Sequence, residues 1–195
     1  MRPLLRQLVF VCFFAPTFSH AQKAEMPAIS AFIAGDTWEW RQVDNRTKME
    51  EKRRTRTTVD VDGKPLFRHS EEVGDSEISL SLLGTPASMS RIAWPLEVGK
   101  KWVFNGNWIR VDGVSGNTKQ DAVVTAFEEI TVPAGKFMAY KIEYRGWYQT
   151  SRPGSGKQND TFWYAPEVFA EVKHIRDDGF NQYTRELLSY KHDTR

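Results

Sequence analysis

The chain has 195 residues, with 27 Lys and Arg against 25 Asp and Glu, a formal charge of +2 and one cysteine. Residues 1–21 hold Arg2, Arg6 and Cys12 and no acid, so beyond them bases and acids balance at 25 each (27 − 2 against 25) and no cysteine remains. That balance removes the electrostatic support for nucleic-acid binding, and the lack of thiols excludes disulfides, thiolate metal sites and a cysteine nucleophile.

In chain order, Arg2 and Arg6 precede an apolar run, Leu8 to Phe14, that is too short to span a bilayer. Ser19-His20-Ala21 then places small residues at the two positions a signal peptidase reads. The pattern predicts a cleaved export signal over 1–21, no transmembrane segment after it, and a periplasmic or secreted protein. Residues 22–34 read as an extended lead-in and 35–195 as a single β domain, long enough to bury one sizeable core.

Gly35 to Trp40 opens a strand with Trp38 and Trp40 on one face, and Asp44-Asn45-Arg46 is a turn signal. Met49 to Val61 is polar on both faces, yet Thr55, Thr57, Val59 and Val61 favour a strand. Its basic cluster, Lys52-Arg53-Arg54-Thr55-Arg56, reads first as a charged, exposed edge strand that resists aggregation, and second as a contact for an anionic surface. Asp62-Gly63 makes a hairpin turn towards Leu66 and Phe67. Ile78, Leu80 and Leu82 alternate with polar residues, Gly84-Thr85-Pro86 closes that strand, and Met89 to Trp94 suggests a further short one. Gly99 to Phe104 then repeats the Gly-x-x-Trp-x-aromatic shape of Gly35 to Trp40, as a duplication or as one physical solution used twice.

The clearest hairpin runs from Val123 to Tyr148 around Pro133-Ala134-Gly135. Val124, Ala126, Ile130 and Val132 alternate on one arm, and Met138, Tyr140, Ile142 and Tyr144 on the other. Pro133 presets a turn φ, and Gly135 releases the return strand. Ser151 to Asn159 reads as a flexible loop, Thr161 to Tyr164 as a short strand ended by Pro166, and Val168 to Ile175 as another. Asp177-Asp178-Gly179 turns into a closing segment, Phe180 to Tyr190, where a strand competes with a helix carrying Tyr183, Leu187, Leu188 and Lys191. The pattern predicts an all-β fold: one antiparallel, strongly twisted sheet of about ten strands, with little helix, closing into a barrel or half-barrel.

Val132-Pro133-Ala134-Gly135-Lys136-Phe137-Met138-Ala139-Tyr140, then Phe162-Trp163-Tyr164-Ala165-Pro166-Glu167-Val168, then Val172-Lys173, resemble exported bacterial β-proteins catalogued largely as domains of unknown function. There a P-A-G-x-F-x-A hairpin precedes a W-Y-A-P strand. The likeness covers roughly residues 95–190 and implies neither a reaction nor catalytic residues. This chain departs from the pattern at Phe169, where glycine is expected. By fold, such proteins are also similar to half-barrels that carry lipoproteins through the periplasm.

The residues offer little chemistry. His69, His174 and His192 are far apart and lack zinc spacing, although His174 shares the inward phase of Val172 and reads as a buried structural histidine, or as a base or ligand. Gly154-Ser155-Gly156 lacks a nucleophile elbow, and adjacent acids such as Asp177-Asp178 point to opposite strand faces. No cofactor, metal site or catalytic residue is expected. The aromatics carry the stronger signal, with Trp102, Phe104 and Trp108 on one strand face and Tyr140, Tyr144 and Trp163 further on. They form either a filled core or a concave face that binds an acyl chain, another hydrophobic small molecule or sugar rings. The functional readings are therefore a non-enzymatic exported binding protein, an envelope module with a protein partner, and a hydrolase whose site the sequence does not display.

Overall fold

The computed structural model describes residues 23–71, 79–82, 91–110 and 112–192; the expected signal at 1–21, Ile78 and the Gly84-Thr85-Pro86 turn lie outside them. Ten strands run in chain order: β1 (Thr37–Asp44), β2 (Glu50–Val61), β3 (Lys64–Glu71), β4 (Ser79–Leu82), β5 (Lys101–Ile109), β6 (Ser115–Val132), β7 (Gly135–Thr150), β8 (Ser155–Ala165), β9 (Ala170–Asp177) and β10 (Gln182–Lys191). They form one antiparallel sheet in the order β4-β3-β2-β1-β10-β9-β8-β7-β6-β5. The sheet curls but stays open between β4 and β5, which makes it a half-barrel.

Local chemistry sets the turns. Asp62 and Gly63, with φ of 53° and 75°, link β2 to β3 in the two-residue geometry that matches strand twist. Pro133 and Ala134 link β6 to β7, with Gly135 at φ 138°. The two Gly-x-x-Trp copies share one bonding pattern. Gly35 N–H donates to Thr58 C=O and Thr58 N–H donates to Asp36 C=O, while Gly99 N–H donates to Val124 C=O and Val124 N–H to Lys100 C=O. Each glycine has φ near 90–100°, which other residues rarely adopt.

Register explains where the simple alternation fails. Thr125 is an extra residue in β6, because Val124 faces Ile142 and Ala126 faces Lys141. The bulge shifts the phase, so Phe127, not Ala126, joins the inward face beside Tyr140, with ring centroids 4.5 Å apart. Tyr140, Ile142 and Tyr144 are buried as expected, but Met138 is exposed. Met138 lies beyond Tyr140, the last β7 residue to pair with β8. Past that point the β6–β7 hairpin bends over, and Ala134 N–H donates to Leu187 C=O of β10. Phe137 of β7 meets Tyr190 of β10 at 5.8 Å, three strand positions away. In a flat sheet those strands would stand roughly 14 Å apart, so the contact measures the curl.

Three further expectations are corrected. Residues 155–159 are not loop: β8 begins at Ser155 because Tyr148 and Gln149 of the long β7 hold Gly156 and Ser155 in register. The segment 182–191 is a strand, with Tyr183, Arg185 and Leu187 alternately buried, and the helical alternative falls away. β2 is not an edge strand, since β1 and β3 flank it. Its register puts Lys52, Arg54 and Arg56 opposite Gln42, Trp40 and Trp38, on the face that carries the buried side chains of β1. Arg53 points the other way, to Glu39 and Glu50.

Two apolar clusters result. One gathers Trp38, Trp40, Phe67, Phe137, Val172 and Leu187. The other gathers Val124, Tyr140, Ile142, Tyr144 and Tyr164 against Leu96, whose backbone pairs with Ala24 of the lead-in. Phe169 keeps the left-handed backbone (φ 52°, ψ 34°) that favours glycine. Its ring packs at 5.5 Å from Phe32, and its carbonyl accepts Arg56 Nη2 at 3.2 Å.

Candidate functional site

Cross-strand ladders bring distant residues into rows on the inner face of the curl. One row runs Trp102, Ala122, Tyr144, Asp160, Arg176, Tyr183. The next runs Ile142, Phe162, His174, Arg185, Gln42, Lys52. A third, towards the other end of β5, runs Phe104, Gln120, Gly146, Gln158. Residue types at period two in six separate strands thus make one surface.

Asp160 is its centre and is fully buried. Its Oδ1 accepts His174 Nε2 at 2.7 Å and Arg176 Nε at 3.0 Å. Its Oδ2 accepts Gln158 Nε2 at 2.8 Å, Gln120 Nε2 at 2.9 Å and Arg91 Nη2 at 3.1 Å. Burial alone would raise its pKa, but the His174 hydrogen bond and the Arg91 and Arg176 charges outweigh it and hold the carboxyl well below the usual range. Arg91 crosses above the sheet. Its guanidinium lies 4.5 Å from the Phe104 ring and 5.0 Å from that of Phe162, while its carbonyl accepts Tyr144 Oη at 2.6 Å and Trp102 Nε1 at 3.2 Å.

His174 is stacked on Phe162 at 3.9 Å. Burial pushes its pKa down to about 4, against the upward pull of the Asp160 hydrogen bond and charge. At neutral pH the ring is then neutral, Nε2–H donates to Asp160, and buried Nδ1 has no protein partner. The linkage sign follows. Between the folded value of about 4 and the ordinary 6.5, the unfolded chain binds the extra proton. Stability should therefore be full above about pH 6.5 and fall as pH drops towards 4, by on the order of 3 kcal/mol for the whole shift. Asp160, with its lowered pKa, adds to the loss only below the ordinary carboxylate range. Urea denaturation at a series of pH values measures the slope. It should flatten in His174→Gln, and an unchanged slope would mean His174 is not buried neutral.

Two hollows open on this face and share part of their lining. The larger, about 700 Å³, is lined by Phe104, Trp108, Tyr148 and Phe180 together with Arg91 and Arg176. Glycines make the space. Trp108 lies over Gly116 and Tyr148 over Gly156, where an added Cβ would come within 2.2 Å and 2.8 Å of the rings. The rings lie down against the sheet and do not fill the groove. The second hollow, about 460 Å³, shares Arg91, Arg176 and Asn181 with the first and adds Lys52, Arg54 and Arg185.

Of the aromatics picked out in the sequence, Phe104 and Trp108 line the groove. Trp102 and Tyr144 support it by holding the Arg91 carbonyl. Tyr140 is buried in the core, and Trp163 belongs to the other cluster, where its Nε1 donates to Glu128. The sequence reading missed Tyr148, Phe180, Arg91, Arg176 and Asp160. Tyr148 and Asp160 had a signal: placed on strands of the right length, they fall in phase with Tyr144 and Phe162.

Among the described residues no helix is long and apolar enough to cross a membrane, which says nothing of strands. No family model matches the chain, and no curated protein matches it in sequence. Two crystal structures share the fold. A candidate lipoprotein from Parabacteroides distasonis aligns over 87% of this chain and 100% of its own, with TM-score 0.52 and 12% identity. A candidate exported protein with a YmcC-like fold from Bacteroides fragilis aligns over 82% and 97%, with TM-score 0.50 and 11% identity. At such identities the likeness is one of fold.

Proposed function

We propose that this is an exported, non-enzymatic binding protein that holds a hydrophobic small molecule or lipid in the concave face of its half-barrel. One observation carries the reading: the inner face holds a groove of about 700 Å³ with Phe104, Trp108, Tyr148 and Phe180 on its walls, where a structural module would have a filled core. That volume is in the usual range for small-molecule sites. Export is supported by the pattern of residues 1–21, and by the descriptions of the two structural neighbours as a candidate lipoprotein and a candidate exported protein. The non-enzymatic part rests on the ionisable cluster itself. Asp160 is engaged by five donors, and His174 titrates near 4, so neither is poised for proton transfer at neutral pH.

The test is a titration of the protein, from Gln22 onwards, with single-chain amphiphiles such as tetradecanol and tetradecanoate. Tryptophan emission should shift saturably because Trp108 lines the groove, and the melting temperature should rise with ligand concentration. Trp108→Phe should remove most of the emission change while the thermal shift remains. If neither observable moves for any amphiphile well above micromolar concentration, the binding reading gives way to an envelope module with a protein partner.

A further inference from the structure

We infer that the larger groove is built for an uncharged amphiphile whose head group carries several hydroxyls, with Gln158 and Thr118 as the side chains that read that head. The inference rests on the binding reading above and names the class of ligand. The charges on the groove lining are already engaged. Arg91 and Arg176 bond to Asp160, Arg110 bonds to Asp112, and the Asp178 carboxylate accepts from the amide and the backbone N–H of Asn181. None of them offers an uncompensated charge to an acidic or basic head group.

The polar capacity left over is neutral. Gln158 lines the groove and is only 4% exposed, and its amide is oriented by Asp160, to whose Oδ2 its Nε2 donates at 2.8 Å. Oε1 is therefore turned away from that carboxylate. Among the described residues nothing donates to it, and unlike Nδ1 of His174 it is not sealed inside the protein. Because Gln158 lines the groove, the groove is where this acceptor opens. Thr118 is buried to the same extent and also lines the groove. Its Oγ1 accepts Trp108 Nε1 at 3.1 Å, while its own O–H has no acceptor among the described residues. A hydroxyl both donates and accepts, so it can satisfy either group. A carboxylate has no proton for Gln158, and an ammonium has no lone pair for Thr118.

Register sets how many hydroxyls are needed. Thr118 faces Tyr148, and Tyr148 faces Gly156, two residues before Gln158. The two groups thus lie on either side of β7, on strands roughly 10 Å apart. A single hydroxyl reaches one of them, whereas a sugar ring or glycerol unit carrying several can serve both. Phe104, Trp108 and Tyr148 supply apolar surface for the C–H face of such a head and for its chain.

The experiment compares three ligands with one decyl chain. Decyl glucoside carries hydroxyls, the decyl ether of methyl-capped triethylene glycol is neutral and has no O–H, and decanoate is charged. The glucoside should bind at least about tenfold more tightly than either of the others, with an affinity that added salt leaves unchanged. Gln158→Met should weaken the glucoside about fivefold and leave the capped ether, which cannot donate, within about twofold. Thr118→Val should also weaken the glucoside about fivefold, and Thr118→Ser, which keeps the hydroxyl, should restore it. Near-ultraviolet circular dichroism confirms that each variant is folded. Equal affinity for glucoside and capped ether, tighter binding of decanoate, or identical behaviour of Thr118→Val and Thr118→Ser would overturn the inference and leave the binding reading standing. No binding of any of the three would overturn both. If glucose alone raises the melting temperature as much as decyl glucoside does, the groove takes a free sugar and the amphiphile part of the inference fails.

Discussion

Asp160→Ala should lower the unfolding free energy by about 3–5 kcal/mol, the loss expected when one partner of a buried charge network is removed. Five donors converge on this carboxylate, three on Oδ2 and two on Oδ1, and Arg91, Arg176 and His174 are among them. Without it, two guanidinium groups lose their shared carboxylate, and Gln120 and Gln158 each lose an acceptor. Asp160→Asn is the more searching variant. Both oxygens accept, so either orientation of the amide turns its NH2 group against existing donors; the expected loss is at least about 2 kcal/mol despite the nearly unchanged volume. Denaturant titration with an unchanged m value checks both. A cost below about 1 kcal/mol for Asp160→Asn would mean that water or rearranged side chains replace the network.

Trp38→Ala should cost about 3–5 kcal/mol, the range for deleting a large aromatic from a packed core. Trp38 is completely buried, and its ring meets Phe67 at 6.0 Å and Phe32 at 6.3 Å. Nε1 donates to Val168 C=O at 2.7 Å, which pins the turn after β8 to β1. The ring is also the platform for a half-buried charge, with the Arg56 guanidinium 4.2 Å from its centroid. Burial lowers the Arg56 pKa to about 10, against the upward pull of Glu171. Removing the indole therefore opens a cavity, leaves a carbonyl unpaired and takes away a face on which a cation rests. Trp147→Ala is the control, because Trp147 is 55% exposed and should cost about 0.5 kcal/mol or less. Similar midpoints for the two variants would contradict the packing described for the β1 end of the sheet.

Much of the fold was legible in the chain because strand signals are local. The period-two patterns of Trp38 and Trp40, of Tyr140, Ile142 and Tyr144, and of Trp102, Phe104 and Trp108 each reported a true shared face. Asp62-Gly63 and Pro133-Ala134-Gly135 marked turns where the backbone demands those residues. Errors arose where a distant strand decides a local state. Ser155 to Asn159 is polar and glycine-bearing, and is a strand only because β7 is long enough to template it. Phe169 holds a left-handed backbone against its own preference because Phe32 packs on its ring and Arg56 holds its carbonyl.

The candidate site divides along the same line. From the sequence alone followed the all-β class, the absence of thiol chemistry after residue 21, the inward phase of His174 and the aromatic character of one face. Sequence could not say whether those aromatics fill a core or line a space, because both produce the same alternation. The structure shows both outcomes: Tyr140, Tyr144 and Trp163 pack into the two clusters, whereas Phe104 and Trp108 line the hollow, with the Trp108 ring over Gly116. The charged lining of the second hollow was also beyond reach. Lys52, Arg91, Asp160, Arg176 and Arg185 span more than 130 residues of chain and meet only through the register of β10 with its neighbours and the curl that brings Arg91 over the sheet. Local propensity fixes which way a side chain points from its own strand. Which charges then share one recess depends on non-local pairing, and that is set by the tertiary structure alone.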